Sequence, residues 1–385
     1  MLSLLLGKKT NLSLDKITFL IIIFSLLLSS SVKPATELSE GIVRKYSFFI
    51  NLVSSNSIWL AVLSIGGASF FLYKYSLKFL KFPALSTPIT LFLLLKIWAI
   101  FNYAIFGEVN FTLIISFLIT LTISSYILAF DKKTGKAFQE ASKAIAIYGI
   151  IFVLLNVFEF YVNAESVIWA GRLFGITNHP NFIGGYCAIL SPFVLQQTIE
   201  RKGLYKFVYA LTFLSLFLMI SSSGSRSSLA SFCLGMLIFF IFHWGFLKAI
   251  LTLSISGLLL YFSFEFILGF SQESGLRYER LLSSENTRSY VIWELWNVYL
   301  QNFFLGNPIE AKSTANSYLL VLARLGSIGG IILIFIISST LKNILSILLK
   351  NVTQNNDIAY LSSFSIILLY SFFEGVLVEN YSLGQ

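Results

Sequence analysis

Long apolar runs recur along the whole chain, and no other feature restricts the fold so severely. Stretches such as Ile17–Leu28, Ile145–Val157 and Ile331–Ile337 carry no charged residue, and related runs follow one another at short intervals. A bilayer core ~30 Å thick is crossed by ~20 mostly apolar helical residues. In lipid only helices and closed barrels satisfy every backbone polar group, and continuous rather than alternating apolar runs select helices. Composition agrees: 56% of the residues are apolar and 12% charged, against ~25% charged in soluble domains. The expectation is an all-α, polytopic transmembrane bundle forming a single membrane domain over 1–385.

Spans are expected at 12–31, 56–73, 85–106, 109–130, 144–161, 180–198, 204–221, 227–243, 246–268, 316–340 and 358–377. That makes about eleven, or twelve if the carboxy terminus returns to the side of the amino terminus. The first run also fits a signal peptide ahead of Ser29-Ser30-Ser31, which leaves the later topology unchanged. In an alternating arrangement Lys8, Lys9, Lys16, Lys74, Lys78, Lys81, Lys132, Lys133, Lys136, Lys143, Arg201, Lys202, Lys206, Lys248, Lys342 and Lys350 all fall on one side. By the positive-inside rule that side is cytoplasmic, which accounts for the net charge of +9 without invoking nucleic acid. One long extracytoplasmic loop, 269–315, remains. Within it Asn286-Thr287 marks a helix start, and Trp293, Trp296, Tyr299, Leu300 and Phe303 form a stripe suited either to a helix lying on the membrane surface or to a cap over the bundle.

Seven of the eight arginines lie outside the cytoplasm or within the membrane in this scheme: Arg44, Arg172, Arg226, Arg277, Arg280, Arg288 and Arg324. Arginine suits bidentate contact with phosphate or carboxylate, so an anionic ligand on the outer face is one reading. Ion pairing with Glu273, Glu279, Glu285 and Glu294 is the other, chiefly for Arg277 and Arg280. Pro180, behind Asn178 and His179, marks a helix start whose positive end faces outward. Gly184 and Gly185 admit a close neighbour. The turn from Ser221 to Ser228, with Gly224 and Arg226 among its serines, is a weaker candidate phosphate cradle. Lys96 falls mid-span, as a functional charge or as a side chain snorkelling to the cytoplasmic face. The two histidines, His179 and His243, are expected on opposite faces, and Cys187 and Cys233 both lie in apolar runs. Neither a metal site nor a cofactor is expected.

The order of these parts resembles the bacterial O-antigen ligase and O-antigen polymerase family over roughly 144–378. The shared pattern is Arg172-Leu-Phe-Gly with His179-Pro-Asn-Phe-Ile-Gly-Gly, the Ser-Gly-Ser-Arg226-Ser-Ser turn, Thr287-Arg288-Ser289, Leu305-Gly306, and Asn316-Ser-Tyr-Leu followed by Leu325-Gly. The resemblance implies glycosyl transfer at the outer face of the bacterial inner membrane. The donor would be a glycan on undecaprenyl diphosphate, and the acceptor a glycan or a lipid-linked unit. Arg172, Arg226 and Arg288 would hold the diphosphate, and His179, Asn181 and Asn316 would line the substrate site. Ligases of that family carry a histidine directly before the Asn-Ser-Tyr-Leu stretch. Here the position is Ala315, which favours a polymerase-type member and leaves acid–base work to an outer carboxylate such as Glu285, Glu294 or Glu310. The alternative is no base at all, since a good diphosphate leaving group tolerates a weak nucleophile. A secondary transporter and a lipid-linked oligosaccharide flippase are the competing readings. The topology has a direct check: in spheroplasts of a strain lacking Cys187 and Cys233, an impermeant thiol reagent should label a cysteine replacing Ser283 and not one replacing Lys133.

Overall fold

A computed structural model describes residues 86–108, parts of 113–125, 136–164, 167–169, 171–177, 179–252, 289–311, 316–349 and 355–374, with isolated positions at 23, 66 and 254. The expected spans at 12–31 and 56–73 and most of 246–268 lie outside the described residues, as do Arg277, Arg280, Arg288, Glu285 and Ala315. Eight helices are described: α1 (Thr87–Ile105), α2 (Ala137–Val162), α3 (Pro180–Glu200), α4 (Gly203–Ser222), α5 (Arg226–Trp244), α6 (Ser289–Gln301), α7 (Ser317–Leu349) and α8 (Asn355–Ser371). A two-residue antiparallel ladder, β1 (Ile168–Trp169) with β2 (Arg172–Leu173), joins α2 to α3. Six of these helices are long and apolar enough to cross a membrane, and α8 is a shorter apolar helix.

The helix limits differ instructively from the expected spans. Helix α2 starts at Ala137 rather than 144, because buried Ala137, Ala141 and Ala144 continue its packed face and Lys143 pairs with Glu140 at 2.7 Å on the other. Helix α8 stops at Ser371, six residues before the expected 377, and the chain turns through Phe372–Glu374.

Helices α2, α3, α4, α5 and α8 enclose the main apolar core, in which Phe152, Ile183, Val194, Leu216, Phe239 and Ile366 are fully or almost fully buried. Close packing uses the glycines: a Cβ on Gly235 would lie 2.3 Å from the Ile366 side chain, and one on Gly185 2.6 Å from the Tyr370 ring. Pro192 sits inside α3 and opens its hydrogen-bond ladder. At this level Ser363 of α8 donates to the Ile189 carbonyl at 2.8 Å.

A second group joins α1, α6 and α7 around a break. Gly326, at φ 64° and ψ −168°, divides α7 into a short half, Ser317–Leu325, and a long one. The three carbonyls at the end of the short half each find a donor elsewhere. Asn307 N donates to Ala323 O at 2.7 Å, Asn102 Nδ2 to Arg324 O at 2.8 Å and Trp98 Nε1 to Leu325 O at 2.9 Å. Asn102 Nδ2 also reaches Leu305 O at 2.5 Å, and Ser327 N donates to Phe303 O at 2.9 Å. Gly306 (φ 72°) and Gly326 meet backbone to backbone: a Cβ on Gly326 would lie 2.1 Å from Phe304 O.

Helix α6 buries Leu295, Val298 and Tyr299 together with Leu320 and Ala323 of α7. Of the expected aromatic stripe only Tyr299 is buried, its hydroxyl 3.0 Å from Ser327 Oγ. Trp293, Trp296, Leu300 and Phe303 are exposed, an apolar outer face suited to the interfacial region of a bilayer.

The described ends sort by charge. Lys136, Lys143, Arg201, Lys202, Lys206, Lys248 and Lys342 lie at or near the start of α2, the α3–α4 link, the residues after α5 and the later part of α7, whereas Arg172, Arg226 and Arg324 lie at the opposite end. The break yields a stability prediction. Replacing Asn102 by Leu removes the donor of two part-buried carbonyls, each costing up to about 1–3 kcal/mol when unsatisfied. Thermal unfolding in nanodiscs should show a clear fall in midpoint, larger than that for Thr122→Val, whose hydroxyl bonds only within its own helix at an exposed position.

Candidate functional site

At the arginine-bearing end, three other chain segments converge on Asn181: β2, the first turn of α5, and the end of α8 with the turn after it. Asn181 stands in the first turn of α3, where Pro180 supplies a preset φ and lacks the N–H that would go unused. His179 caps the helix: its Nδ1 accepts from Asn181 N at 3.1 Å and its carbonyl from Phe182 N at 3.0 Å. The first turn is thus closed by its own cap rather than open to an anion, as its orientation alone had suggested.

The Asn181 side chain faces two opposite charges. Its Oδ1 accepts from Arg172 Nη2 at 2.6 Å, and its Nδ2 donates to Glu374 Oε1 at 2.7 Å. All three residues are buried. The Asn181 carbonyl accepts from Tyr370 Oη of α8 at 2.6 Å and from Ser228 Oγ of α5 at 3.4 Å. A buried charge requires a partner, and here one amide serves an acid and a base together.

Arg172 extends this chain to the serine turn. Its Nε donates to Ser223 O at 2.7 Å, and its aliphatic stem passes over Gly224, where φ is +60° and a Cβ would lie 3.2 Å from Nε. The turn is otherwise self-sufficient: Ser225 Oγ caps α5 by accepting from Ser228 N, and Ser223 Oγ accepts from Ser225 N at 3.2 Å. Gly184 permits the contact with α3, since a Cβ there would lie 2.7 Å from Ser228 Oγ and 2.8 Å from Ser223 Oγ. Arg226, the first residue of α5, is exposed.

Asn316 begins α7 beside the same assembly. Its Oδ1 accepts from Leu319 N at 2.9 Å, and its Nδ2 donates to Phe372 O at 2.8 Å. Ser317 Oγ donates to Glu374 O at 2.5 Å, and the Tyr318 and Phe372 rings lie 4.5 Å apart. Arg172, His179, Asn181, Arg226 and Asn316 therefore belong to one end of the bundle. Arg288 lies outside the described residues. Glu294 is half-buried on α6 and Glu310 exposed.

Sequence reasoning missed Glu374, Tyr370 and the structural use of Arg172. The signal for Glu374 was available, because a carboxylate inside the expected span 358–377 qualifies by the same rule that singled out Lys96. Glu159, fully buried in α2, qualifies likewise. Lys96 itself is buried rather than directed to a membrane face. Its ammonium donates to Ser116 Oγ at 2.5 Å, Ser116 O at 3.3 Å and Thr120 Oγ1 at 2.9 Å and lies 5.1 Å from the Phe92 ring centre.

Fold and site together define a multi-pass helical membrane protein with a polar, charged assembly at the arginine-bearing end. No protein-family model matches the chain, and no curated protein matches it at a significant level of similarity. The assembly predicts a sharp contrast between variants. Asn181→Leu removes the charged hydrogen bonds to Arg172 and Glu374 and should cost several kcal/mol, at roughly 1.5–3 kcal/mol for each. Tyr370→Phe removes one neutral bond and should cost about 1 kcal/mol. Denaturant titration of both variants in one detergent would check the order.

Proposed function

We propose that the chain transfers glycosyl units outside the cytoplasm from an undecaprenyl-diphosphate-linked glycan to a glycan or lipid-linked acceptor, in the manner of a surface-polysaccharide polymerase. The observation that carries this reading is the convergence at one bundle end of separate motifs: Arg172, His179–Asn181, the Arg226 turn and Asn316. The stretch from Arg172 to Asn181, the Arg226 turn and Asn316 are far apart in sequence, and together they belong to the pattern that resembles the O-antigen ligase and polymerase family. The lysine-rich opposite end supports placing this one outside the cytoplasm of a bacterial inner membrane.

In this reading Arg226 presents its guanidinium to the donor diphosphate from an exposed first turn, and Arg172 sets that turn by holding Ser223 O. A departing diphosphate gathers negative charge, which a guanidinium already in place stabilises without reorganising. Arg288 would add a further guanidinium, as the resemblance implies. Ala315 in place of the ligase histidine supports the polymerase type.

The broken α7 and the buried Lys96 are features that secondary transporters also use. In such proteins the unwound carbonyls coordinate the transported ion. Here Ala323, Arg324 and Leu325 each give their carbonyl to a protein donor, which favours a structural break over an ion site.

The test is transfer in membranes supplied with purified undecaprenyl-diphosphate-linked donor. Arg226→Lys keeps the charge but loses the bidentate fork. At ~1.5–3 kcal/mol for a charged hydrogen bond, transfer should fall roughly 10- to 100-fold at equal membrane abundance. Undiminished transfer by this variant would remove Arg226 from the site.

A further inference from the structure

Helix α6 has one apolar face more than a helix in water can use. At about 100° per residue, its 13 residues sort into three faces. Leu295, Val298 and Tyr299 are buried against α7. Glu294, Asn297 and Gln301 make a polar face. Between these two, Ile292, Trp293, Trp296 and Leu300 stand exposed, Trp293 by 64%. A surface helix of a soluble protein needs one apolar stripe turned inward and a polar remainder. A second apolar stripe, turned outward, calls for a second apolar surrounding.

The exposed stripe does not stop where the helix does. Phe303 and Phe304 extend it, both exposed, and the turn that carries them docks on the break in α7. Ser327 N donates to Phe303 O at 2.9 Å, and Gly326 lies against Phe304 O. From that point the long half of α7 exposes Ile328, Ile331, Ile334 and Phe335. These residues recur at three-to-four spacing on a helix long and apolar enough to cross a membrane, which turns such a stripe to lipid. The apolar surface of α6 thus adjoins one that lipid covers, and this identifies its occupant. With 13 residues against the ~20 that a crossing needs, α6 itself does not span. Its tryptophans are the residue type enriched where a bilayer meets water. Glu294 is its sole charged side chain, so it has no basic residue to seek anionic headgroups.

We propose that α6 is seated in the interfacial layer of the bilayer through the stripe from Ile292 to Phe304, and that this contact is indifferent to headgroup charge. The segment 289–305 is then a membrane-seated part of the protein rather than a water-exposed loop. Lipid on one side and α7 on the other hold the turn that closes the break at Gly326. The seat does not depend on which reaction the chain performs.

The test compares two neighbouring positions, Leu300 on the stripe and Gln301 on the polar face, about 100° apart around the helix. Full-length protein lacking Cys187 and Cys233 carries a fluorophore on one cysteine, Leu300→Cys or Gln301→Cys, in phosphatidylcholine nanodiscs. Phosphatidylcholine with a nitroxide near the head of its acyl chain should quench the label at position 300 severalfold more than the label at 301. Aqueous acrylamide should quench them in the opposite order. Exchanging part of the lipid for anionic phosphatidylglycerol should leave the lipid quenching unchanged. Trp293→Cys repeats the measurement at a second place on the stripe if the Leu300 variant does not fold. Equal acrylamide quenching at both positions, with no effect of the nitroxide lipid, would overturn the seat. Protection of position 300 from both quenchers would overturn it as well, because a protein surface such as a second copy of the chain would then be the cover. Nitroxide quenching that appears only with phosphatidylglycerol would overturn the indifference to headgroup charge.

Discussion

A helix that breaks must give its last carbonyls another donor, and the break at Gly326 is where this chain meets that constraint. A buried carbonyl left without one costs about 1–3 kcal/mol. Trp98, Asn102 and Asn307 supply the donors, and this accounts for a polar asparagine fully buried in α1. The contact also needs two glycines, because Gly306 and Gly326 approach with positive φ and no room for a Cβ. Continuing α7 straight would remove the demand, but it would also remove the attachment of the 302–311 segment, whose turn docks on the break.

The break and the polar assembly are the two ends of one short half-helix. Ser317–Leu325 spans nine residues, ~13 Å at the usual helical rise. Its first residues are tied to Phe372 and Glu374 and its last to α1 and the turn after α6. A rod pinned at both ends fixes Asn316 and the backbone of the Phe372–Glu374 turn relative to the bundle more firmly than a loop would. The whole-helix alternative would pin only one end near the site. Breaking the helix therefore serves position as much as topology.

Helix existence was legible in the sequence because the apolar runs are long and the lysines sort to one side. The limits of α2 and α8 were not legible: Ala137, Ala141 and Ala144 continue a packed face that charge alone would assign to a loop. Pro180, Gly184 and Gly185 announced a helix start and a close approach, and the Ser223 and Ser228 hydroxyls and the Tyr370 ring are what approach. The apolar period of α6 was legible as a helix, whereas the packing of Leu295 and Val298 against α7, with the tryptophans left exposed, was not. Glu374 escaped notice because it was read as part of an apolar span. Its importance depends on Asn181, a partner 193 residues away, and no local pattern reports that contact.

The electrostatic character of the arginine-bearing end comes from side chains rather than helix dipoles. Helices α3, α5 and α7 begin there, whereas α1, α2, α4 and α8 end there, so opposed partial charges of about half a unit largely offset one another. Nor does the buried pair set the sign, because Arg172 and Glu374 are of opposite charge and share one amide. Two arginines of separate motifs thus divide their tasks. Arg172 is spent inside, where its charge is matched and its Nε holds the Ser223 carbonyl. Arg226, three residues along the same turn, carries its charge to the exposed surface. Among the described residues Arg226 is the exposed arginine at this end, and its turn is held by the buried Arg172, so the shape of the exposed turn depends on a residue beneath it.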